Sequence, residues 1–163
     1  MERYVLKAKA DAIQETFGIG VHSLAMLEPN YNAAPGHALP VLAKNKMEPA
    51  IWDSETPQFP LDVITTELFG PESIPCIVPV SGFYMWKQTV NDPLPFFVRI
   101  HSRMLLGVAG ILFESEKLRG VFRVLTRPAN VLLKPLNEFM PCILDPVEYK
   151  YWLTGQTRAI LGH

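Results

Sequence analysis

Prolines are the sequence feature that most limits how this chain can fold. Fifteen of them are scattered through 163 residues, and they form no proline-rich tract. Proline breaks the interior of a helix, and in a sheet it is confined to edges, strand ends and bulges. The sequence therefore predicts many short elements and few long helices.

The segment from Pro75 to Trp86 carries the clearest strand signal. The apolar run from Ile77 to Val80 has no helical spacing and is bracketed by prolines, which favours a short buried strand. A turn at Ser81-Gly82 and an aromatic strand follow it. Strand alternation places two pairs of side chains on opposite faces, Phe83 with Met85 and Tyr84 with Trp86. One face is then expected in the core, and the other can line a groove.

The remaining pattern predicts a β-rich α+β domain that covers residues 1–163, with short helices near both ends. Helices are predicted at Lys9–Phe17, at Pro128–Leu133, and after Asp145, where Glu148 completes a capping pattern. Strands are predicted at Arg3–Lys7, Leu39–Ala43, Glu48–Trp52, Pro95–Ile100, Leu105–Phe113, Gly120–Thr126 and Pro141–Leu144, with a hairpin turn at Asn45-Lys46, a loop over Asp53–Asp62 and an ambiguous segment at Val63–Phe69.

Composition narrows the functional classes. A net charge of −1 gives no basic footprint, so any DNA contact must come from a local cluster of basic side chains.

Cys76 and Cys142 lie in apolar runs and are predicted to be buried, reduced thiols. No spacing resembles a metal site, and we expect no cofactor. Charges at Arg3 and Lys7 interrupt any early apolar run and no stretch is long enough to span a bilayer, so a cytoplasmic protein is expected.

Four segments, in order along the chain, match the motifs of one protein family. They are Tyr31–Pro35, Cys76–Trp86, Val108–Glu114 and Val124–Asp145. Through them the chain resembles the SOS-response-associated peptidase family, abbreviated SRAP, which processes abasic sites in DNA. The resemblance implies a β-rich pseudo-barrel, in agreement with the strand pattern, and a place in the DNA damage response.

The resemblance also implies a reaction and the positions that carry it. In the family, an N-terminal cysteine attacks the aldehyde of an abasic site in single-stranded DNA, using an amine and a thiol together. A glutamate and a histidine assist proton transfer, and an asparagine helps to hold the sugar. In this chain the cysteine, asparagine, glutamate and histidine positions hold Glu2, Val63, Met85 and Asn137, and Phe139 replaces an arginine.

These departures predict a catalytically degenerate SRAP-like protein that retains weak binding of single-stranded DNA. Aromatic faces stack on unpaired bases and basic side chains contact phosphates. The candidate DNA-binding residues are Arg3, Tyr31, Asn32, Tyr84, Trp86, Asn130 and Asn137, with Arg123, Arg127 and Lys134 as further phosphate contacts. The same rings can instead be packing residues, and the asparagines can instead serve turns and caps.

Two other functions remain open from the sequence. One is a protein- or small-molecule-binding module, because Met85 and Phe139 make the former cleft more apolar. The other is a new enzymatic activity that uses the remaining acid/base groups Glu67, Glu138 or His101.

Overall fold

The computed structural model describes residues 1–18, 29–61 and 72–156. Over these ranges the chain forms short strands with a helix near each end. In order they are β1 Arg3–Leu6, α1 Ala10–Phe17, β2 Asn30–Ala33, β3 Ala38–Ala43, β4 Lys46–Trp52, β5 Gln58–Pro60, β6 Ser73–Val80, β7 Gly82–Lys87, β8 Leu94–Val98, β9 Leu106–Phe113, β10 Val121–Pro128, β11 Phe139–Pro141, β12 Ile143–Leu144, a 3-10 turn at Pro146–Glu148, and α2 Tyr149–Leu153.

The larger sheet closes on itself. Its order is β11-β10-β4-β3-β6-β9-β12, and β10 also pairs with β9, so that β10, β4, β3, β6 and β9 form a ring. The pairings of β10 with β4 and with β5 are parallel, whereas its pairings with β9 and β11 are antiparallel. Closure removes the free strand edges that an open sheet would expose. The β-rich α+β pseudo-barrel expected from the sequence is confirmed.

The smaller sheet is antiparallel, with the order β2-β1-β7-β8. Tyr4 of β1 pairs with Phe83 of β7, and both side chains are fully buried. The Tyr4 ring lies 5.4 Å from that of Trp52 on β4, which is how one face of the smaller sheet packs onto the ring. The opposite face of the smaller sheet, here called the outer face, is partly open to solvent.

The helix near the end of the chain also packs on the ring. Trp152 of α2 is fully buried, and its indole Nε1 donates a hydrogen bond of 2.7 Å to the carbonyl oxygen of Cys76 on β6. The 3-10 turn that leads into α2 begins after Asp145 as predicted, and the Glu148 carboxylate accepts a hydrogen bond from the backbone N–H of Asp145 at 2.8 Å. Within the described ranges, neither helix is long and apolar enough to cross a bilayer.

Several predicted elements needed correction. The hairpin turn is at Lys44-Asn45 instead of Asn45-Lys46, since Ala43 pairs with Lys46. Lys44 has a φ of 58°, a left-handed conformation that two-residue hairpin turns require. The predicted loop over 53–62 contains β5, and the predicted strand Pro141–Leu144 is divided between β11 and β12. The segment Val63–Phe69 lies outside the described residues.

The predicted helix at Pro128–Leu133 is wrong. Residues 129–137 instead form hydrogen-bonded turns between β10 and β11. Asn130 caps a single turn, because its side-chain oxygen accepts the Leu133 N–H and its carbonyl oxygen accepts the Lys134 N–H, both at 2.9 Å. The next residue, Pro135, has no N–H with which to continue the pattern, so the turn does not extend into a helix.

Candidate functional site

A small cleft opens where the start of β1 meets β7 and β11. It encloses about 40 Å³, which is room for only a few water molecules. Its lining comes from four separate parts of the chain and consists of Met1, Glu2, Gln58, Tyr84, Met85, Trp86, Asn137 and Phe139. Strand pairing across both sheets is therefore what assembles the site.

Three of the positions that the sequence resemblance singled out meet in this cleft. Glu2 precedes β1, Met85 lies in β7, and Asn137 lies just before β11. Phe139 of β11 stands beside them. The fourth position, Val63, lies outside the described residues.

The side chains of the cleft are mostly apolar or neutral. Met85 is 3% exposed and Phe139 is 48% exposed. The Asn137 side-chain oxygen accepts the Phe139 N–H at 3.0 Å, so this amide is used to shape the backbone. Gln58 donates its side-chain N–H to the Met1 carbonyl oxygen, a contact that no sequence pattern predicts.

Burial also limits positive charge in the cleft. Desolvation lowers the pKa of the Met1 amino group to about 6, although the neighbouring Glu2 carboxylate acts to raise it. At neutral pH this amine is therefore mostly uncharged. Among the described residues, no group of three or more His, Cys, Asp or Glu side chains is arranged to hold a metal ion.

A row of side chains crosses the outer face of the smaller sheet. Arg3 of β1 pairs with Tyr84 of β7, which pairs with Phe97 of β8, so the three side chains share one face. The Arg3 guanidinium donates to the Asn32 side-chain oxygen at 3.3 Å. Trp86 lies two residues beyond Tyr84, on the same face and at the edge of the cleft. The structure thus brings together four of the seven predicted DNA-binding residues.

Phe97 is the residue that the sequence did not single out. Its ring centroid lies 5.0 Å from that of Tyr84, and the Tyr84 ring lies 6.0 Å from that of Trp86. The sequence predicted a strand at Pro95–Ile100 but gave no partner for it. Without the β7–β8 register, nothing indicated that Phe97 joins these rings.

The other three predicted DNA-binding residues lie outside this row. Tyr31 is 59% exposed on β2, next to Asn32. Asn130 lies in the turns between β10 and β11, where its side chain bonds the Leu133 N–H. Asn137 lies in the cleft, beside Trp86.

Arg123, a further candidate for phosphate contact, already makes an ion pair and a ring contact within the protein. Its Nε donates to the Asp53 carboxylate at 2.8 Å, and its guanidinium carbon lies 4.8 Å from the centroid of the Phe113 ring. Of the alternative acid/base groups, His101 and Glu138 are exposed and are not among the residues that line the cleft. Glu67 lies outside the described residues.

Comparison with protein families decides the affiliation of the chain. The family model described as SOS response associated peptidase (SRAP) matches residues 71–161, more than half of the sequence. The chain belongs to the SRAP family. The matched range contains Met85, Asn137 and Phe139, whereas Glu2 and Arg3 precede it.

Two curated relatives are similar over part of this SRAP protein. An abasic site processing protein from Saccharomyces cerevisiae is 33% identical over 73 residues, which is 44% of this chain and 20% of that protein. An abasic site processing protein from Bacillus subtilis is 26% identical over 89 residues, which is 52% of this chain and 39% of that protein. The matches therefore span less than half the length of either relative.

Solved structures support the fold. A protein from Bacteroides thetaiotaomicron superposes with a TM-score of 0.76 at 18% identity, covering 94% of this chain and 81% of that one. A protein from Bordetella bronchiseptica superposes with a TM-score of 0.72 at 14% identity, covering 98% of this chain and 92% of that one. At these identities the likeness concerns the fold alone.

Proposed function

We propose that this SRAP protein binds single-stranded DNA on the outer face of its smaller sheet but does not perform the covalent chemistry that its sequence motifs imply. One observation carries the proposal: Met85 lines the cleft next to Trp86, at the position where the family motif has a glutamate. The rings and Arg3 remain beside the cleft, although the acid/base group is replaced.

The side chains at the family's two acid/base positions argue against its reaction. A general acid or base must gain and lose a proton near the working pH. The Met85 thioether and the Asn137 amide do neither, and the Phe139 ring cannot pair with a phosphate as an arginine does. Glu2 still brings one carboxylate to the cleft, but from the residue before β1 and not from the position of Met85 on β7.

The outer face supports binding. Aromatic rings stack on unpaired bases with little regard to sequence, and Tyr84 and Trp86 are half-buried with their rings adjacent. Arg3 lies in the same row and supplies a positive charge for the phosphate backbone. The two curated relatives are named abasic site processing proteins, which is consistent with DNA as the ligand.

A covalent assay tests the loss of chemistry. The 163-residue protein is incubated with single-stranded DNA that contains one abasic site and is then examined on a denaturing gel and by intact mass. We expect no adduct. A species with the summed mass of protein and DNA would refute the proposed degeneracy.

A binding assay tests the retained function separately. Tryptophan fluorescence is titrated with single-stranded DNA at low and at high salt, in the wild type and in Arg3→Gln. We expect a signal that weakens with salt, and a shallower salt dependence for Arg3→Gln, because one phosphate contact is removed. Lys150→Gln on α2 is the matched control and should leave the salt dependence unchanged. An unchanged wild-type signal at low salt would rule out the DNA-binding proposal.

A protein-binding module is the second candidate. It is favoured by exposed apolar side chains near the cleft, Phe96 at 41% and Phe139 at 48%. The enclosed space of about 40 Å³ suits a protein partner better than an apolar small molecule. Binding of a partner that single-stranded DNA does not displace would favour this candidate.

We also propose that residues 1–163 form one SRAP-like domain. One cluster of buried apolar side chains runs through both sheets and includes residues from Met1 to Trp152. Limited proteolysis should therefore give no pair of separately stable fragments.

A further inference from the structure

Phe97 completes a line of three aromatic rings on the outer face. The rings of Trp86, Tyr84 and Phe97 follow one another with centroid separations of 6.0 and 5.0 Å. Trp86 lines the cleft, whereas Phe97 lies on β8, the last strand of the smaller sheet. The line therefore leads from the cleft to the edge of the sheet.

Gly82 leaves room for the Phe97 ring, because it has no side chain. A Cβ atom placed on Gly82 would lie 2.4 Å from one ring carbon of Phe97 and 2.9 Å from a second. The ring therefore occupies the space that a side chain at this position of β7 would fill. Phe97 is nevertheless 48% exposed, so one side of the ring packs on the sheet and the other remains open.

We propose that Phe97 is a third stacking surface, which binds the unpaired base furthest from the cleft. The inference rests on the proposed binding of single-stranded DNA and deepens it. The ligand is a single strand that places consecutive bases on Trp86, Tyr84 and Phe97. Arg3, in the same row as Tyr84 and Phe97, contacts its backbone.

The chemistry of the row favours unpaired nucleotides as the occupant. Every base has an aromatic face, so a line of rings accepts a strand with little sequence preference. A positive side chain within the same row matches the charge that accompanies each base. A duplex presents its base edges but not its base faces, and it cannot use these rings without being unstacked.

The test compares two neighbouring phenylalanines. Phe97→Leu removes the ring but keeps an apolar side chain, and Phe96→Leu makes the same change at the next residue, where the side chain points to the opposite face. Two eight-nucleotide probes are titrated by fluorescence anisotropy. One is oligothymidine, and the other carries a tetrahydrofuran abasic analogue at every position, so it keeps the phosphates but has no bases.

We expect the wild type to bind oligothymidine more tightly than the abasic probe. Phe97→Leu should weaken oligothymidine binding about tenfold, the loss of one stacked base, and should leave the abasic probe unaffected. Phe96→Leu should change neither affinity. Phe97→Trp should retain the affinity, since an indole ring also stacks.

A failure of the proposed role of Phe97 can be distinguished from a failure of the proposed DNA binding. If the wild type binds neither probe, the DNA-binding proposal itself is wrong. If the wild type prefers oligothymidine but Phe97→Leu and Phe96→Leu bind it equally well, the role of Phe97 is wrong and the broader proposal stands. Thermal unfolding of both variants shows whether either has lost its fold, and loss of affinity in a folded Phe97→Trp would also contradict stacking.

Discussion

Replacing Gly82 by alanine tests whether the Phe97 ring needs the space that this glycine leaves free. Gly82 does not have a positive φ, so alanine is compatible with its backbone. Alanine in a strand is ordinarily preferred to glycine by about 0.5–1 kcal/mol. Here the new methyl group would meet the Phe97 ring at 2.4 Å and the Val98 carbonyl oxygen at 2.9 Å, distances that require one of them to move.

The expected result is a loss of stability despite the better backbone propensity. Overpacking of this kind lowers the free energy of unfolding by about 1–3 kcal/mol. For a domain of this size, each kcal/mol corresponds to a fall in Tm of about 2–4 °C. The measurement is chemical and thermal unfolding of the wild type, Gly82→Ala, Phe97→Ala and the double variant.

The double-mutant cycle separates the two contacts. If the ring is the obstacle, Gly82→Ala should destabilise the Phe97→Ala background by at least about 1 kcal/mol less than it destabilises the wild type. The remaining loss then reports the contact with the Val98 oxygen, which is backbone and cannot rotate away. An equal loss in both backgrounds would show that the ring is not what Gly82 accommodates.

Three further predictions concern the core and its polar groups. Burial by itself would raise the pKa of Asp53, but hydrogen bonds from Arg123 and from two backbone N–H groups, together with the guanidinium charge, hold it below its usual value. Asp53→Asn should therefore lower the free energy of unfolding by about 2 kcal/mol at pH 7. The difference from the wild type should narrow as the pH falls below 3.8, the ordinary pKa of this carboxyl group, and then through the lower pKa of the folded state. Equal differences at pH 7 and pH 3 would contradict this. Tyr4→Phe should keep or slightly raise stability in urea unfolding, because the buried hydroxyl of Tyr4 has no hydrogen-bond partner among the described residues; a loss above about 1 kcal/mol would show an unrecognised partner. Burial raises the pKa of the Cys142 thiol to about 11 and also raises the pKa of the Cys76 thiol. Alkylation by iodoacetamide at pH 8 should therefore be slow in the native protein and fast in denaturant. Rapid labelling of the native protein would contradict this packing.

Local patterns were sufficient for most of the strands. The run Ile77–Val80 was recognisable because it is apolar, lies in a segment with prolines at positions 75 and 79, and is soon followed by Gly82. The alternation of Phe83, Tyr84, Met85 and Trp86 gave the correct faces once the segment was taken as a strand. The helix at Pro128–Leu133 was wrongly predicted, because the apolar pattern took no account of Pro135, which has no N–H to extend the turn that Asn130 caps.

Pairings between distant segments could not be predicted from local patterns. Nothing near Gln58 indicates that β5 lies parallel to β10 or that its side chain reaches Met1. Likewise, the partner of β8 decides that Phe97 meets Tyr84. The family motifs indicated Glu2, Met85, Asn137 and Phe139 but neither Met1 nor Gln58, and they did not indicate the size of the cleft, because its volume depends on how these distant strands meet.

The closed ring has a consequence for how the chain acquires its structure. Strand β10 bridges β4 and β9, and the Asp53–Arg123 contact alone joins positions 70 apart in sequence. Contacts of such long range make folding slow, because a large loop must be ordered before they form. Until β10 has been synthesised, β4 and β9 each lack a neighbour and offer a free edge to other chains. A product truncated before Val121 should therefore aggregate, because the strands made earlier depend on β10 to cover their edges.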